Sequence, residues 1–407
     1  MTGGLTPAGL ERQGRANVTL GYSMMRWIVG LLALLLAGGA VFFFFILPAR
    51  VDANLNRVIA HAPYAVSEEA RELHSGMRVA DLHADTLLWT RDPLKRHSRG
   101  QVDAPRLKEG GYRLQVFSAV TKTPKAMNYD RNTAESDNIT LLAIAERWPV
   151  KSWSSILERA LYQARRLERI AARSGGALVL VRNKSELEAA FAGDGIASVL
   201  ATEGAHPLEG KIENVDRLYD AGYRVLGLQH FFDNELGGSL HGVSGDGLTA
   251  FGREAITAAE ARGMIIDIAH SSYKVALETL DLATKPLIVS HTGIKGHCDS
   301  PRNVSDDLLK AVAAKGGLIG VGFWDGAVCE ASIDAVADAI VYAVSILGAD
   351  HVALGSDFDG SVTTAFDASE SPALVSELIE RGLEAETIRK VMGENQIAFF
   401  LAHLPDQ

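Results

Sequence analysis

The run Gly263-Met264-Ile265-Ile266-Asp267-Ile268-Ala269-His270 is followed by a helix-length amphipathic stretch, Ser272–Ala283, and by a second apolar run, Leu287-Ile288-Val289-Ser290-His291. Two short β-rich runs joined by such a stretch are typical of a βαβ unit, in which the strands are parallel. Both runs end in histidine. The unit therefore predicts a parallel sheet that carries polar side chains at the carboxyl ends of its strands.

The same alternation continues on both sides of this unit and predicts eight strands. They are Val79–Leu82, Tyr112–Ser118, Ile196–Ala201, Arg224–Leu228, Met264–Ile268, Leu287–Val289, Leu318–Phe323 and Val352–Gly355. An extra short run, Ala177–Val181, precedes the third strand. The pattern predicts an α/β fold, a closed (β/α)8 TIM barrel. The alternative is an open doubly wound sheet, which would hold its ligand between two or three strand ends at a switch point. Polar candidates follow at least six of the strands, and this favours the barrel.

An uncharged run of 23 residues, Trp27–Ala49, lies before the first strand. A helix of this length spans a hydrocarbon core of about 30 Å. Because Arg12, Arg15 and Arg26 precede it, the positive-inside bias predicts a cytoplasmic N-terminus. We expect one transmembrane signal anchor in the inner membrane, with the rest of the chain on the periplasmic side. A cleaved signal peptide is the alternative, although its apolar core would be shorter, about 7–15 residues.

The predicted organisation is a cytoplasmic tail at 1–26, the anchor at 27–49, a lead-in segment at 50–78 that is expected to be helical over 51–75, and a catalytic barrel at 79–407. The formal net charge of -10 and the lack of a basic stripe argue against a nucleic-acid partner. Cys298 and Cys329 are the only cysteines, which excludes a disulfide scaffold and a cysteine-rich zinc site. Whether these two pair with each other is left open.

Candidate metal-binding and catalytic side chains end or follow six of the eight predicted strands, namely the first, third, fourth, fifth, sixth and eighth. The set is His83, Asp85, Glu203, His230, His270, His291 and Asp357. These nitrogen and oxygen ligands suit Zn²⁺ and leave Mn²⁺ or Co²⁺ possible. Seven residues are too many for one tetrahedral site that keeps a position for water, and they predict two ions about 3.5–4 Å apart. His206, which follows Glu203 on a loop, is interpreted as a nearby histidine that does not bind metal.

From about Val79 to Phe400 the sequence resembles the membrane dipeptidase (renal dipeptidase) family of metallopeptidases, family M19, in the amidohydrolase superfamily. The matching segments are Asp81-Leu82-His83-Ala84-Asp85, Glu203-Gly204-Ala205-His206, Gly263–His270, Ser290-His291, Pro301-Arg302-Asn303-Val304 and Gly355-Ser356-Asp357-Phe358-Asp359-Gly360. Together they are far more specific than any one motif.

The resemblance implies a metal-dependent hydrolase barrel with two zinc ions per chain. His83 and Asp85 would hold one ion, and His270 and His291 the other. Glu203 would bridge the two ions with its two carboxylate oxygens.

The resemblance also implies the roles of the remaining residues. His230 would bind the substrate and stabilise the oxyanion, and Arg302 would pair with the free carboxylate of a dipeptide. Asp357 would carry the proton of the attacking water, with Asp359 as the other candidate.

The expected function is zinc-dependent hydrolysis of dipeptides at the membrane surface, by a chain that is a possible homodimer. Two alternatives remain: another superfamily hydrolase acting on a lactam, lactone or phosphoester, and a non-catalytic membrane-tethered binding protein. The loop 231–238 resembles that of a bacterial subset of the family, so the substrate range is left open.

Overall fold

The structure is a computed structural model and describes residues 7–406. Residues 1–6 of the predicted cytoplasmic tail therefore lie outside the described part of the chain. From Pro7 the backbone is already helical, and this helix continues into the apolar run.

Eight parallel strands follow one another around a near-closed barrel, in the order in which they occur in the chain. They are β1 Val79–Ala84, β2 Tyr112–Val120, β3 Ile196–Glu203, β4 Tyr223–Gly227, β5 Ile265–Asp267, β6 Ile288–Thr292, β7 Leu318–Val321 and β8 Val352–Leu354. All eight predicted strands are present. β2 and β3 extend two residues beyond the predicted ends because they pair with each other as far as Val120 and Glu203.

The two ends of the sheet, β1 and β8, meet just beyond β8. The backbone N–H of Asp85 donates to the carbonyl of Phe358 at 2.9 Å, and Ala84 and Phe358 form an isolated parallel bridge. Ser356 adds further bonds: its N–H donates to Asp81 Oδ1 at 2.7 Å, and its hydroxyl lies 2.8 Å from Asp81 Oδ2 and 3.1 Å from the carbonyl oxygen of His83. A few bonds rather than a full ladder therefore close the barrel.

The extra predicted run is a short strand, Leu178–Val181, which lies beside the barrel. It pairs with the first half of β3, from Ile196 to Val199, whereas β4 pairs with the second half. The strand therefore branches from the first half of β3 and is not one of the eight strands of the ring.

Helices connect the strands and cover the barrel. In the described chain the α-helices after β1 are Ala104–Glu109, Ile139–Ala145, Ile156–Arg173, Lys184–Ala192, Glu213–Asp220, Ala250–Ala261, Tyr273–Leu282, Asp306–Ala314, Asp325–Val328, Ile333–Leu347, Ser371–Glu380, Ala385–Arg389 and Asn395–His403. The last of these covers the amino-terminal end of the barrel: Gln396 donates to the carbonyl of Ala80, and Asn395 to that of Val352. The opposite, carboxyl end of the strands is left for the site.

One continuous helical segment precedes the barrel, as helix Pro7–Val41, a π-helical turn Phe42–Ile46 and helix Leu47–Leu55. Within Met24–Leu55 the most apolar 18-residue stretch has a mean hydropathy of 2.6 and is entirely exposed. Its length and composition are sufficient to cross a membrane, a property that signal sequences near an N-terminus share.

The lead-in segment at 50–78, expected to be helical over 51–75, is interrupted. Helix Leu47–Leu55 ends at Asn56, whose side-chain oxygen accepts the N–H of Ser361 at 2.9 Å. A two-residue strand, Arg57–Val58, then pairs with Thr363–Thr364 before helix Glu68–Ser75 begins. The prediction was wrong here because a contact with residues some 300 positions later, invisible to local periodicity, sets the backbone.

Candidate metal centre

The side chains of the predicted site converge on Glu203, the last residue of β3. Its Oε1 lies 3.6 Å from Nε2 of His83 and 3.3 Å from Nε2 of His270. It also lies 3.6 Å from Nε2 of His291 and 3.3 Å from Nε2 of His230. A single carboxylate thus stands among four imidazoles, which come from the ends of β1, β4, β5 and β6.

Asp85 and Asp357 complete the cluster on the side of β1 and β8. Nε2 of His83 lies 3.5 Å from Oδ1 of Asp85 and 3.9 Å from Oδ1 of Asp357. All seven predicted ligands and proton carriers are therefore at one site, and each is buried.

Three groups of these atoms are close enough to hold a metal ion. They are His83, Glu203 and His291; Glu203, His230 and His270; and His83, Asp85 and Asp357. Two of the groups share Glu203, which is the arrangement that a bridging carboxylate requires. The grouping differs from the expected pairs in two respects: His291 is grouped with His83 rather than with His270, and His230, expected to bind substrate, is grouped with Glu203 and His270. Nε2 of His270 and Nε2 of His291 are nevertheless only 2.9 Å apart.

Two residues of the site adopt left-handed backbone conformations that side chains other than glycine rarely occupy. His270 has φ 61° and Asp357 has φ 59°. Such conformations cost on the order of 1–3 kcal/mol and occur chiefly at functional sites. The carbonyl of His270 accepts the N–H of Leu240 at 2.7 Å, and that of Asp357 accepts the N–H of Gly360 at 3.0 Å. From these backbone conformations the side chain of His270 reaches Glu203, and that of Asp357 reaches His83.

Sequence reasoning missed two buried residues that orient the histidines. The Ser290 hydroxyl lies 2.9 Å from Nδ1 of His291 and 3.3 Å from Nδ1 of His83, so it contacts the far nitrogen of both rings. Asp267 accepts the backbone N–H groups of Ala269 and Ser290, both at 2.9 Å. In the sequence, the position of Asp267 inside the apolar run 264–269 could have indicated that this aspartate is buried and has a structural role.

The electrostatics of the protein alone oppose ionisation at this site. Burial raises the pKa of Glu203 and Asp357 well above the usual range, and repulsion from Asp85 raises both further. Burial likewise lowers the pKa of His230 and His270 well below its usual value. The imidazoles of His230 and His270 are therefore neutral, as metal ligands must be, and the carboxylates of Glu203 and Asp357 need a cation to stay charged.

Unpaired buried atoms show that the residues present fit such a cation. Nε2 of His83 and Oδ1 of Asp85 have no hydrogen-bond partner among the described residues, although both are buried. A buried polar atom without a partner costs about 1–3 kcal/mol. An ion bound between the carboxylates and the imidazoles would satisfy these atoms and offset the mutual repulsion.

Arg302 is fully buried on the other side of the site. Its Nη2 donates to the carbonyl of His291 at 3.0 Å, and its guanidinium carbon lies 5.3 Å from the ring centre of Trp324. Its Nη1 has no hydrogen-bond partner among the described residues. One arm of the guanidinium is thus anchored and the other is free for an anion.

Asp359, the second candidate for the proton carrier, has a structural environment. Its carboxylate accepts hydrogen bonds from the Thr86 hydroxyl at 2.7 Å and the Gln101 N–H at 2.8 Å, and it pairs with Arg91 at 2.7 Å. It is fully buried and does not line the cavity, whereas Asp357 does.

His206 is buried away from the metal-ligand groups. Its ring stacks on Phe232 with centroids 4.4 Å apart, and burial lowers its pKa to about 3. This neutral packing role agrees with the interpretation made from the sequence.

A cavity of about 370 Å³ opens over the site. Its lining includes Glu203, His230, His270, Arg302 and Asp357. Sequence reasoning missed several other residues of its wall, namely Val51, Leu55, Leu88, Met127, Tyr129, Ile139, Leu142 and Trp324. These residues belong to helices and loops that contain none of the metal-binding motifs, so the motifs did not indicate them.

The two cysteines form a disulfide. Cys298 follows β6 and Cys329 follows helix Asp325–Val328, and their Cα atoms are 5.6 Å apart. The bond joins the segments on both sides of Arg302 and Trp324, at one edge of the cavity.

The chain matches a sequence model described as membrane dipeptidase, peptidase family M19, over residues 67–400. It is 29% identical over 311 residues to an uncharacterized dipeptidase of Schizosaccharomyces pombe, a match that covers 74% of this chain and 72% of that protein.

Solved structures share the fold. The probable dipeptidase PvdM from Pseudomonas aeruginosa superposes with a TM-score of 0.70 at 18% identity, over 83% of this chain and 98% of that one. A metallopeptidase from Rhodobacter sphaeroides, liganded with a phosphinate mimic of the dipeptide L-Ala-D-Ala, has a TM-score of 0.66 at 23% identity, over 81% and 99% of the two chains.

Proposed function

The chain belongs to the membrane dipeptidase family, peptidase family M19, and from this premise we propose that it is a metallodipeptidase with two zinc ions that share Glu203. The main support is that two groups of metal-binding side chains share Glu203. The unpaired Nη1 of the buried Arg302 lines the same site.

The proposed assignment of the ligands is the one that the family resemblance implies, and the convergence of these side chains on Glu203 supports it. His83 and Asp85 would hold one ion, His270 and His291 the other, and Glu203 both. All donor atoms are nitrogen or oxygen, which suits zinc. When bound, two such ions polarise the scissile carbonyl and lower the pKa of the attacking water.

Asp357 is proposed as the proton carrier. Burial raises the pKa of Asp357, which makes its carboxylate a stronger base, and the residue lines the cavity with Oδ1 3.9 Å from Nε2 of His83. It would accept the proton of the attacking water and give it to the leaving amine.

His230 and Arg302 are proposed to bind the substrate. A neutral His230 still has one ring N–H, which would donate to the oxygen of the tetrahedral intermediate. The free Nη1 of Arg302 would bind the terminal carboxylate of the substrate, and this contact would limit cleavage to very short peptides.

We also propose that the helix Met24–Leu55 anchors the protein in the inner membrane, with the barrel on the periplasmic side. The length and hydropathy of the helix support this placement. The Cys298–Cys329 disulfide supports it independently, because disulfides persist chiefly in oxidising compartments outside the cytoplasm. The predicted homodimer and the domain limits remain predictions.

A panel of dipeptides tests the function. The full chain, loaded with zinc in detergent, should hydrolyse free dipeptides and lose most of that activity when the substrate's C-terminus is amidated. The panel should vary L and D residues at both positions and include L-Ala-D-Ala. Hydrolysis of a lactone or phosphoester but of no dipeptide would reject the proposal.

A further inference from the structure

The wall of the cavity includes a helix that lies outside the barrel. Val51 and Leu55 are one turn apart on helix Leu47–Leu55, so their side chains share one face, and both line the cavity above the metal-ligand residues. The end of the apolar N-terminal helix is therefore part of the active-site cavity.

Buried contacts fix this helix to the barrel. Asp52 is buried and pairs with Arg91 at 3.0 Å and with Arg99 at 2.8 Å. Arg91 in turn pairs with Asp359 in the loop after β8. Asn56 accepts the N–H of Ser361 in the same loop. The positions of Val51 and Leu55 are thus defined by the same loop that carries the proposed proton carrier.

The cavity has a polar end and an apolar end. The polar end contains the metal-ligand residues and Arg302. The apolar end is formed by Val51, Leu55, Leu88, Ile139 and Leu142. Val51 and Leu142 pack against the buried cluster that contains Leu88 and Ile139, so this end is a continuous apolar surface.

The order of the strands gives a bound dipeptide its direction. Arg302 follows β6, whereas Leu88 follows β1, and Ile139 and Leu142 follow β2. In an eight-stranded ring β6 and β2 lie on opposite sides. Of the described residues that line the cavity, Arg302 alone carries a permanent positive charge. A dipeptide whose carboxylate binds Arg302 therefore directs its first residue towards the apolar end.

We propose that Val51 and Leu55 form, with Leu88, Ile139 and Leu142, a subsite for the side chain of the substrate's N-terminal residue. The subsite selects dipeptides that begin with a large apolar residue. This inference rests on the proposed dipeptidase function and adds the substrate class to it. It also gives the N-terminal helix a part in specificity, in addition to any part in anchoring.

The expected size of the effect follows from apolar burial. Each methylene group in a fitted apolar pocket changes kcat/KM by about 10-fold or more. The wild type should therefore prefer Leu-Ala and Phe-Ala over Gly-Ala by at least about tenfold. In the double variant Val51→Ser/Leu55→Ser this preference should fall to within about threefold, because two walls of the subsite become polar.

The experiment measures kcat/KM for Gly-Ala, Leu-Ala and Phe-Ala with the full, zinc-loaded chain in detergent. The matched control is Leu141→Ser, since Leu141 is exposed, lies on the same helix as Ile139 and does not line the cavity. The control should keep the wild-type preference. If the double variant fails to retain zinc, the isosteric variant Val51→Thr decides, and its preference for Leu-Ala and Phe-Ala over Gly-Ala should fall several-fold, whereas an unchanged preference overturns the subsite.

The outcomes separate the subsite from the function. Loss of the preference with Gly-Ala hydrolysis retained supports the subsite. An unchanged preference in the folded variant, or none in the wild type, overturns the subsite and leaves the dipeptidase function standing. Failure of the wild type to cleave any dipeptide overturns both.

Discussion

Asp357 occupies a position in which it could either transfer a proton or only orient a neighbour, and one substitution separates these roles. Asp357→Asn keeps the shape of the side chain but removes the basic oxygen. If Asp357 carries the proton, kcat should fall by roughly 10²–10⁴ while the metal content stays at the wild-type level. Steady-state kinetics and metal analysis by mass spectrometry measure both quantities.

The matched control is Asp359→Asn, which removes a buried partner of Arg91 and Thr86. That variant should be less stable than the wild type. The kcat of its folded fraction should fall less than the kcat of Asp357→Asn. Restoration of Asp357→Asn activity by added zinc would show instead that Asp357 serves metal affinity.

Arg302 offers a test of carboxylate recognition. Arg302→Lys keeps the positive charge but not the two arms of the guanidinium. A lysine ammonium cannot donate to the carbonyl of His291 with one nitrogen and leave a second nitrogen free for the substrate. We expect KM for dipeptides to rise about tenfold or more, since a charge-assisted hydrogen bond contributes about 1.5–3 kcal/mol. Amidating the substrate should then harm the wild type far more than the variant, and equal losses in both would refute the contact.

At the scale of single elements, the buried Asp52 joins the N-terminal helix to the barrel. Asp52→Asn leaves Arg91 and Arg99 without part of their compensating charge. Breaking a buried ion pair on one side typically costs about 3–5 kcal/mol. Chemical denaturation in detergent should show a loss of this order, whereas the control Glu68→Gln, which breaks only the exposed pair with Arg71, should change stability by less than about 1 kcal/mol. If both variants lost less than about 1 kcal/mol of unfolding free energy, the contact between the N-terminal helix and the barrel would contribute little to stability.

The strands and the site could be predicted from the sequence because their signals are local. β1 to β8 are short apolar runs between helix-length stretches, and residues such as His230, His270 and His291 follow these runs directly. Since parallel strands of a barrel end at one rim, knowing the strand ends was enough to bring the ligands together.

The parts that could not be predicted depend on contacts between distant residues. The hydrogen bonds of Ser290 to two histidines, and the saturation of Asp359 by Thr86, Gln101 and Arg91, leave no periodic pattern. The same is true of Val51 at the cavity, because the packing of the helix on the barrel, and not its composition, places the side chain there.

At the scale of the whole molecule, the topology has a direct test. Alkaline phosphatase fused after Gln407 should be active, since this reporter folds only when exported, and a fluorescent protein fused at the same point should be dark. Fusion after Arg26, before the apolar run, should give the reverse pattern. A fluorescent, phosphatase-inactive fusion after Gln407 would contradict the proposed orientation. If the mature chain were found to begin near Val51, the apolar helix would be a cleaved signal peptide. The barrel would still be exported, but the helix would not be a membrane anchor.

If two metal ions act together through Glu203, activity should require both of them. Titrating the metal-free chain with zinc, while dipeptide hydrolysis and bound metal are measured on the same samples, tests this requirement. Activity should become maximal only when about two ions per chain are bound, and Glu203→Gln should bind fewer ions at both positions because this side chain contacts both ligand groups. Full activity with one bound ion, or two tightly bound ions in Glu203→Gln, would contradict the account.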